Sequence, residues 1–302
     1  MATQLTLEQA AQHLCAAQDV LILAHKSPDG DTLGSGFGLL HALRGMGKRV
    51  WLACSDPIPP RYAYLMGGLT DAVWEDGTGI VPQAVVAVDI ADTKLFGEKL
   101  RGFADKVQLC IDHHGSNTGY AKYLLLRPNA AANCELMLDL LEAMGLPLTE
   151  QIANCLYTGL VTDTGCFRHS STTVDSHRAA EKLLQAGADM RMIHRLAFES
   201  VSRGKVALLV EAMQQIRYEL DSRCAILVLP RDRINALGVA DDELEGIAAL
   251  PRQIEGVQVG VTLRQYKSYR GYKVSVRTDG IIDASAICAR LNGGGHRGAA
   301  GC

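Results

Sequence analysis

The sequence lacks the features that mark several classes of protein. No apolar run in its 302 residues approaches the length of about 18 that a transmembrane helix needs, and no basic start with an apolar core opens the chain. We therefore expect neither a membrane span nor a secretory signal. The nine cysteines form no C-x-x-C pair, which argues against a disulfide framework or a structural zinc knuckle. We expect a cytoplasmic protein with reduced thiols and no membrane partner.

Basic charge is scarce in the first two thirds of the chain. Residues 1–199 hold 16 Lys and Arg against 22 Asp and Glu, whereas residues 200–302 hold 14 against 11. An acidic first part suits the binding of cations and a basic second part suits anions, although differences this small also arise on ordinary solvated surfaces. Aromatic residues make up only 5%, and the first part of the chain is acidic. The chain therefore lacks the basic stripe with interleaved aromatics typical of proteins that bind long nucleic-acid strands.

Short apolar runs alternate with helix-length segments through the first part of the chain. The runs occupy residues 20–24, 48–53, 84–90 and 107–111. Because nearly every residue in them is apolar, they are typical of parallel strands buried on both faces of a sheet. We predict an α/β fold for residues 1–188, with a doubly wound parallel sheet.

The pattern changes in the last third of the chain. A stretch without strand signals predicts a helical linker over residues 189–216. Alternating, half-buried strands are predicted beyond it at 224–229, 257–265 and 272–277, with helices near 241–250 and 283–291. We predict that residues 217–302 form a second, smaller α/β domain with a mixed sheet.

Polar side chains stand where the strands of the first domain end, which is where parallel α/β sheets bind ligands. These are His25, Asp29, Asp31, Asp89, Asp112, His113 and His114, joined by Asp163 at the end of a predicted helix. Each has an ordinary explanation, because Asp before Gly makes turns, a strand-end Asp caps helices, and histidines pack or face solvent. Gathered at one edge, however, the carboxylates would repel one another unless a cation neutralised them.

The residue types at this edge indicate divalent metal ions. Carboxylates and imidazoles without a thiolate suit Mn²⁺ or Mg²⁺, with Co²⁺ and Fe²⁺ as alternatives. The acids are more numerous than one ion needs, and two ions about 3.5–4 Å apart that share a bridging carboxylate would use them all. Such a pair binds a phosphate and supplies its nucleophile, so the residues point to phosphoester hydrolysis.

Five ordered motifs resemble those of the DHH phosphoesterase family and extend over nearly the whole chain. They are His25-Lys-Ser-Pro-Asp29-Gly-Asp31, Val88-Asp89, Asp112-His113-His114, Thr162-Asp163-Thr164-Gly165-Cys-Phe167 and Gly293-Gly294-Gly295-His296-Arg-Gly-Ala299-Ala300-Gly301. The last motif resembles the DHH-associated domain of the first type, in which we would expect a further short helix or strand after the glycines.

The resemblance implies two divalent ions, Mn²⁺ first, with Mg²⁺ or Co²⁺ as alternatives. Implied ligands of one ion are His25, Asp29 and Asp89, and those of the other are Asp31, Asp89, His113 and Asp163. Asp89 would then bridge the ions. Asp112 would fix an imidazole ligand, and His114 would donate to the scissile phosphate or to the leaving group.

The resemblance also implies that the second domain binds substrate. We expect the contacts from Arg264, Arg277, Gly294, Gly295, His296 and Arg297. Consecutive glycines let backbone N–H groups approach a phosphate, and charged side chains add stronger donors, although a flexible tail would also explain the glycines. An earlier glycine run, at 34–38, lacks the spacing of a dinucleotide fingerprint, and we expect it to allow close helix packing.

The subfamilies differ in what accompanies the shared motifs. The glycine motif argues against type II pyrophosphatases, the length against RecJ-type exonucleases, and the missing membrane segments against membrane-bound cyclic-dinucleotide phosphodiesterases. The chain is similar to the compact nano-RNases and pAp phosphatases, which implies hydrolysis of very short oligoribonucleotides, of 3′-phosphoadenosine 5′-phosphate (pAp), or of both. A stand-alone cyclic-dinucleotide or pApA phosphodiesterase is the alternative, and a non-catalytic nucleotide-binding regulator is a remote one. We expect short nucleotide substrates and no long-strand partner, and a homodimer is the oligomeric state that we consider.

Overall fold

The computed structural model describes residues 2–74, 81–244, 246–267 and 270–302, apart from the side chains of Asp242 and His296. The chain divides into two compact units, Met1–Glu199 and Ser200–Cys302, and the division falls inside the predicted linker. In the described part of the chain, no helix combines the length and the apolar composition that crossing a bilayer requires.

The first unit is a parallel sheet with helices on both faces. Its strands and helices are β1 (Thr3–Gln4), α1 (Leu7–Ala16), β2 (Asp19–Leu23), α2 (Gly30–Gly45), β3 (Arg49–Ala53), β4 (Ala84–Val88), α3 (Gly97–Leu100), β5 (Leu109–Asp112), β6 (Tyr123–Leu126), α4 (Asn133–Ala143), α5 (Glu150–Asp163), α6 (Val174–Gln185) and α7 (Met190–His194). Three 3₁₀ helices, Pro60–Met66, Thr93–Phe96 and Arg101–Phe103, and a π-helix, Arg195–Glu199, complete it. The strand order is β1-β6-β5-β4-β2-β3, and every neighbouring pair is parallel.

Two apolar layers bury this sheet from opposite sides. Along β2, Val20 and Ile22 belong to one buried cluster, whereas Leu21 and Leu23 belong to the other. Apolar side chains on both faces explain why the strands read as continuous apolar runs. The predicted doubly wound parallel sheet is confirmed.

Glycines let α2 lie directly against α5. A Cβ atom at Gly34 would overlap the carbonyl oxygen of Cys155, and one at Gly159 would lie 2.6 Å from Asp31 Oδ1. Neither position accepts a larger residue without moving backbone or a buried carboxylate. The packing role expected for the run at 34–38 is confirmed, and it fixes the start of α2, which carries Asp31, at the sheet edge.

The second unit contains a mixed sheet. Its elements are α8 (Arg203–Gln214), β7 (Arg217–Glu219), β8 (Cys224–Leu229), α9 (Arg231–Ala236), β9 (Val259–Gln265), β10 (Tyr272–Thr278), α10 (Ala284–Ala289), β11 (Gly294–His296) and β12 (Ala299–Gly301). The order is β11-β12-β10-β9-β8-β7; β8 and β9 are parallel, and the other pairs are antiparallel. The predicted mixed sheet is confirmed.

One local prediction for this unit needs correction, and one alternative is excluded. The helix predicted near 241–250 is instead two 3₁₀ helices, Asp241–Leu244 and Ile247–Gln253, because Gly246 between them has a φ of +82° and Pro251 lies inside the second. The glycine segment is not a tail: it forms the antiparallel hairpin β11–β12 beside β10.

Candidate metal centre

The six side chains predicted as metal ligands lie together at the carboxyl edge of the first sheet. They are His25, Asp29, Asp31, Asp89, His113 and Asp163. With His114 they form three groups of three residues, and within each group the ligand atoms all lie within 4.8 Å of one another. Asp89 and His113 each belong to two of the groups, which are His25 with Asp29 and Asp89; Asp31 with His113 and Asp163; and Asp89 with His113 and His114.

Asp89 occupies the middle of this cluster. Its Oδ1 lies 3.5 Å from His113 Nε2, and its Oδ2 lies 3.7 Å from His25 Nε2. The residue is 3% exposed, and Oδ1 has no hydrogen-bond donor among the described residues. A buried carboxylate oxygen left without a donor is costly, and a cation between it and the imidazoles would satisfy it. The φ of +59° at Asp89, a conformation that Asp tolerates better than most residues, aims the side chain across this edge.

Backbone carbonyl groups fix the two imidazoles that face Asp89. His25 Nδ1 lies 2.8 Å from the carbonyl oxygen of Lys26, and His113 Nδ1 lies 3.0 Å from that of Ala130. Because a carbonyl oxygen only accepts, the proton of each neutral imidazole lies on Nδ1, and once Nε2 has lost its own proton it can present a lone pair to a metal ion. This is how metal-binding imidazoles are usually oriented.

Helix N-termini hold two of the carboxylates. Asp31 accepts from the backbone N–H groups of Asn133 at 2.6 Å and Cys134 at 3.0 Å, in the first turn of α4. Asp29 is the N-cap of α2 and accepts from Asp31 and Thr32, each at 3.1 Å. Helix N-termini stabilise negative charge. The pKa of Asp29 is accordingly lowered, although burial would raise it, whereas burial raises the pKa of Asp31 in spite of its two backbone donors.

The remaining electrostatics favour protons or cations at the cluster. Burial, with repulsion from Asp31, raises the pKa of Asp89 to about 7. Burial, with repulsion from Asp31 and Asp89, raises the pKa of Asp163 to about 9. Burial alone would lower the pKa of His25, but its bonds with Asp29 and Asp89 raise that pKa to about 11. Crowded negative charge contributes to all three raised pKa values. Bound protons relieve this crowding, and bound cations would relieve it equally.

This donor set fits a pair of divalent ions. Carboxylate oxygens and imidazole nitrogens suit hard to borderline metals, and no described thiol joins the three donor groups. Asp89 belongs to two groups through different oxygens, as a bridging ligand would. The structure therefore brings together every residue predicted to bind metal, and the ion held by each remains to be assigned.

Asp112 and His114 form a separate pair beside the ligands. Asp112 is fully buried, and its Oδ1 accepts from the backbone N–H groups of His113 and His114 and from His114 Nδ1 at 2.8 Å. Burial would raise the pKa of Asp112, but donors on His114 and Asn117 outweigh it and hold the pKa below its ordinary value. We expected Asp112 to fix an imidazole ligand; the imidazole that it holds is that of His114, whereas Ala130 holds that of His113.

Sequence reasoning missed several residues that support the cluster. Thr32 Oγ1 accepts from the backbone of His25 at 3.3 Å and donates to the carbonyl of Val88 at 3.2 Å, tying two strand ends together. Asn117 Nδ2 donates to Asp112 Oδ2 at 2.6 Å. Its place in a run of turn-forming residues after the histidines was a signal for a loop and gave none for a carboxylate partner.

The residues predicted to bind substrate lie in the second unit and have varied surroundings. Arg277 donates to the carbonyl of Val276 at 3.1 Å, and Arg297 donates to that of Gly280 at 2.6 Å, so both guanidinium groups hold local backbone. Arg264 stands directly opposite Lys273 in the β9–β10 register. Gly294 and Gly295 are exposed in β11, whereas the His296 side chain lies outside the described residues. Substrate binding by these six residues remains a prediction.

Known proteins and structures resemble both units. Residues 19–160 match the DHH family, N-terminal domain, and residues 223–302 match the DHHA1 domain. The bifunctional oligoribonuclease and PAP phosphatase NrnA of Thermus thermophilus is 32% identical over 286 residues, which cover 93% of this chain and 83% of that protein. The cyclic-di-AMP phosphodiesterase GdpP of Geobacillus thermodenitrificans is 28% identical, over 96% of this chain and 45% of that protein.

The fold itself has a close structural counterpart. The crystal structure of an exopolyphosphatase-related protein from Bacteroides fragilis superposes with a TM-score of 0.87 at 24% identity, over 98% of this chain and 89% of that one. At this identity the likeness concerns the fold alone. It agrees with a two-unit α/β architecture of the kind described above.

Proposed function

The chain belongs to the DHH family, and from that premise we propose that it is a two-metal phosphoesterase acting on very short nucleotides. Its substrates would be oligoribonucleotides of a few residues, cleaved to mononucleotides, or pAp, cleaved to AMP, or both. The name of the Thermus thermophilus relative, which joins these two activities, supports the proposal. The observation that carries it is the shared, buried Asp89 between two donor groups.

We propose the following division of the ligands. One ion would be held by His25, Asp29 and Asp89, and the other by Asp31, Asp89, His113 and Asp163. When bound, the ions would polarise the phosphate and lower the pKa of the attacking water. The chain's own contribution is to hold the carboxylates close together with backbone N–H groups, so that little rearrangement accompanies binding.

His114 is our candidate for the proton donor. Its Nδ1 proton is held by Asp112 at 2.8 Å, and its side chain is 41% exposed, so the proton on Nε2 can face a substrate. The hydrogen bond to the buried Asp112 raises the pKa of His114, which favours the protonated imidazole that a proton donor requires. Donation to a phosphate oxygen or to the leaving group would speed cleavage of the ester.

We assign substrate binding to the second unit. Arg264 and Lys273 put two positive charges on one face where β9 and β10 pair. Like charges directly opposite each other destabilise a sheet, and Asp241 interacts with Arg264, so a bound phosphate would relieve the remaining repulsion. The exposed backbone of Gly294 and Gly295 would add N–H donors. A terminal nucleotide held here would favour substrates of a few residues.

The metal, the location and one alternative substrate belong to the same proposal. We propose Mn²⁺ as the ion, because mixed carboxylate and imidazole sites suit it, and the cytoplasm as the location. Cyclic dinucleotides or pApA are the second candidate substrates, and what favours them is the similarity to a cyclic-di-AMP phosphodiesterase over 96% of this chain.

Timed product analysis with Mn²⁺ tests the proposal. The panel would contain a diribonucleotide, a pentaribonucleotide, pAp, pApA, cyclic di-AMP and a 24-mer RNA, with the His114→Ala variant as the control. We expect mononucleotides from the short substrates and little product from the 24-mer. Rapid degradation of the 24-mer, or no release from any short substrate, would contradict the proposal, and a preference for cyclic di-AMP would favour the alternative.

A further inference from the structure

The loop after His114 brings the side chain of Asn117 into contact with Asp112, the carboxylate that holds His114. The backbone N–H of Asn117 donates to the carbonyl of His114 at 3.0 Å, closing a turn over residues 114–117. The side-chain Oδ1 accepts from the backbone N–H of Gly119 at 2.8 Å, and Nδ2 donates to Asp112 Oδ2 at 2.6 Å. Both ends of the amide are engaged, so its orientation is determined.

The two oxygens of Asp112 have different partners. Oδ1 receives three N–H groups, from the backbones of His113 and His114 and from His114 Nδ1. Oδ2 receives the amide of Asn117. Asp112 is 0% exposed, so bulk water does not replace a missing donor, and the amide sets the plane in which Oδ1 meets the imidazole.

We propose that Asn117 is a positioning residue, which acts through Asp112 to orient His114 for proton donation. This inference rests on the proposed function, in which His114 is the donor. An amide suits the task because it donates to a carboxylate without adding charge, whereas a carboxylate at 117 would repel Asp112. Asn117 is not among the residues that would bind metal, so its removal should disturb orientation while the ions remain.

The matched control is Tyr120→Phe. The Tyr120 hydroxyl donates to the carbonyl of Ile90 at 3.0 Å, and Asn117 Nδ2 approaches the same carbonyl at 3.4 Å. The control therefore removes a hydrogen bond from the same loop without removing the donor to Asp112. Asn117→Ala removes that donor, and equal thermal midpoints of the two variants would show that any further difference between them is not a loss of folding.

The first measurement does not depend on activity. The Nδ1 proton of His114, bonded to a buried carboxylate, should give a downfield, slowly exchanging proton resonance in the protein loaded with diamagnetic Mg²⁺, because paramagnetic Mn²⁺ would broaden it. We expect Asn117→Ala to broaden or abolish this resonance and Tyr120→Phe to retain it. A resonance unchanged in Asn117→Ala would overturn the inference.

The second measurement is steady-state kinetics on the short substrate that the parent cleaves best. We expect Asn117→Ala to lower kcat by about 10- to 100-fold, the usual effect of losing such a supporting bond, with KM and metal content nearly unchanged. In an Asp112→Asn background the same substitution should cost less than about twofold, because its route to His114 is already lost. Equal losses in both backgrounds would overturn the inference. An inactive parent would contradict the proposed function instead, and the proton resonance would still decide the role of Asn117.

Discussion

The metal edge of the first unit and the glycine hairpin of the second unit organise their polar groups in opposite ways. At the metal edge, backbone N–H groups of Asn133 and Cys134, more than 100 positions along the chain, hold Asp31, and among the described residues Asp89 Oδ1 has no donor. In the hairpin region, Arg277 and Arg297 donate to carbonyl groups of neighbouring backbone, which stabilises the local fold. The first region is preorganised for cations, whereas the second has fewer donors to give to a ligand. Substitutions should therefore affect turnover strongly in the first region and affinity modestly in the second.

The largest effect is expected at Asp89. Asp89→Asn should leave the protein with fewer than two ions and lower the rate by roughly 10³-fold or more, because the carboxylate that we propose as the bridge between the ions would be lost. Asn tolerates the left-handed backbone at this position, so the fold should survive. Elemental analysis and kcat are the measurements, with Asp92→Asn, in the turn after the same strand, as the control. Two bound ions and near-normal turnover in Asp89→Asn would contradict the strong effect expected in the first region.

The neighbouring histidines should separate metal binding from proton donation. His113→Ala removes an Nε2 that faces three carboxylates, so it should weaken metal binding. His114→Ala should retain metal and lower kcat by about 10²- to 10⁴-fold, the usual contribution of a proton donor. Equal loss of metal in both variants would show that the two roles are wrongly assigned.

Metal affinity should fall as the pH falls. Asp89 and Asp163, with pKa values of about 7 and about 9, hold protons at lower pH, and a cation must displace them. Each displaced proton weakens binding by up to about tenfold per pH unit below the pKa concerned. Calorimetry at neutral pH in buffers of different ionisation enthalpy should detect net proton release. Binding without any proton release would contradict this account of the cluster.

The smallest of these effects is expected in the second unit. Arg264→Ala should raise KM for a diribonucleotide by about tenfold or more, the effect of losing a hydrogen bond to a charged group, and change kcat little. A small phosphodiester such as bis(p-nitrophenyl) phosphate, with nothing to place at Arg264, serves as the control and should be cleaved equally by variant and parent. Equal impairment of both substrates would mean that Arg264 shapes the metal site, and the contrast between the two regions would be lost.

The sequence predicted which polar residues gather at the sheet edge better than it predicted the contacts that support them. His25 and Asp89 were found because parallel strands end at one edge, a rule that needs only the apolar runs. The hydrogen bond from the backbone of Asn133 in α4 to Asp31 joins residues 102 positions apart, and no local sequence pattern indicates such a contact. Strand β1 was missed for a related reason, since two residues are too few to show a pattern, and β6 was missed although it is as long as the predicted β5. The glycine hairpin was missed because glycine carries no strand signal.

A crystal structure with anomalous scattering from Mn²⁺ would show directly whether Asp89 is shared between two ions, as we propose. We expect two anomalous peaks about 3.5–4 Å apart, one near His25 and one near His113, each in contact with Asp89. A single peak, or two peaks of which only one contacts Asp89, would contradict the proposal.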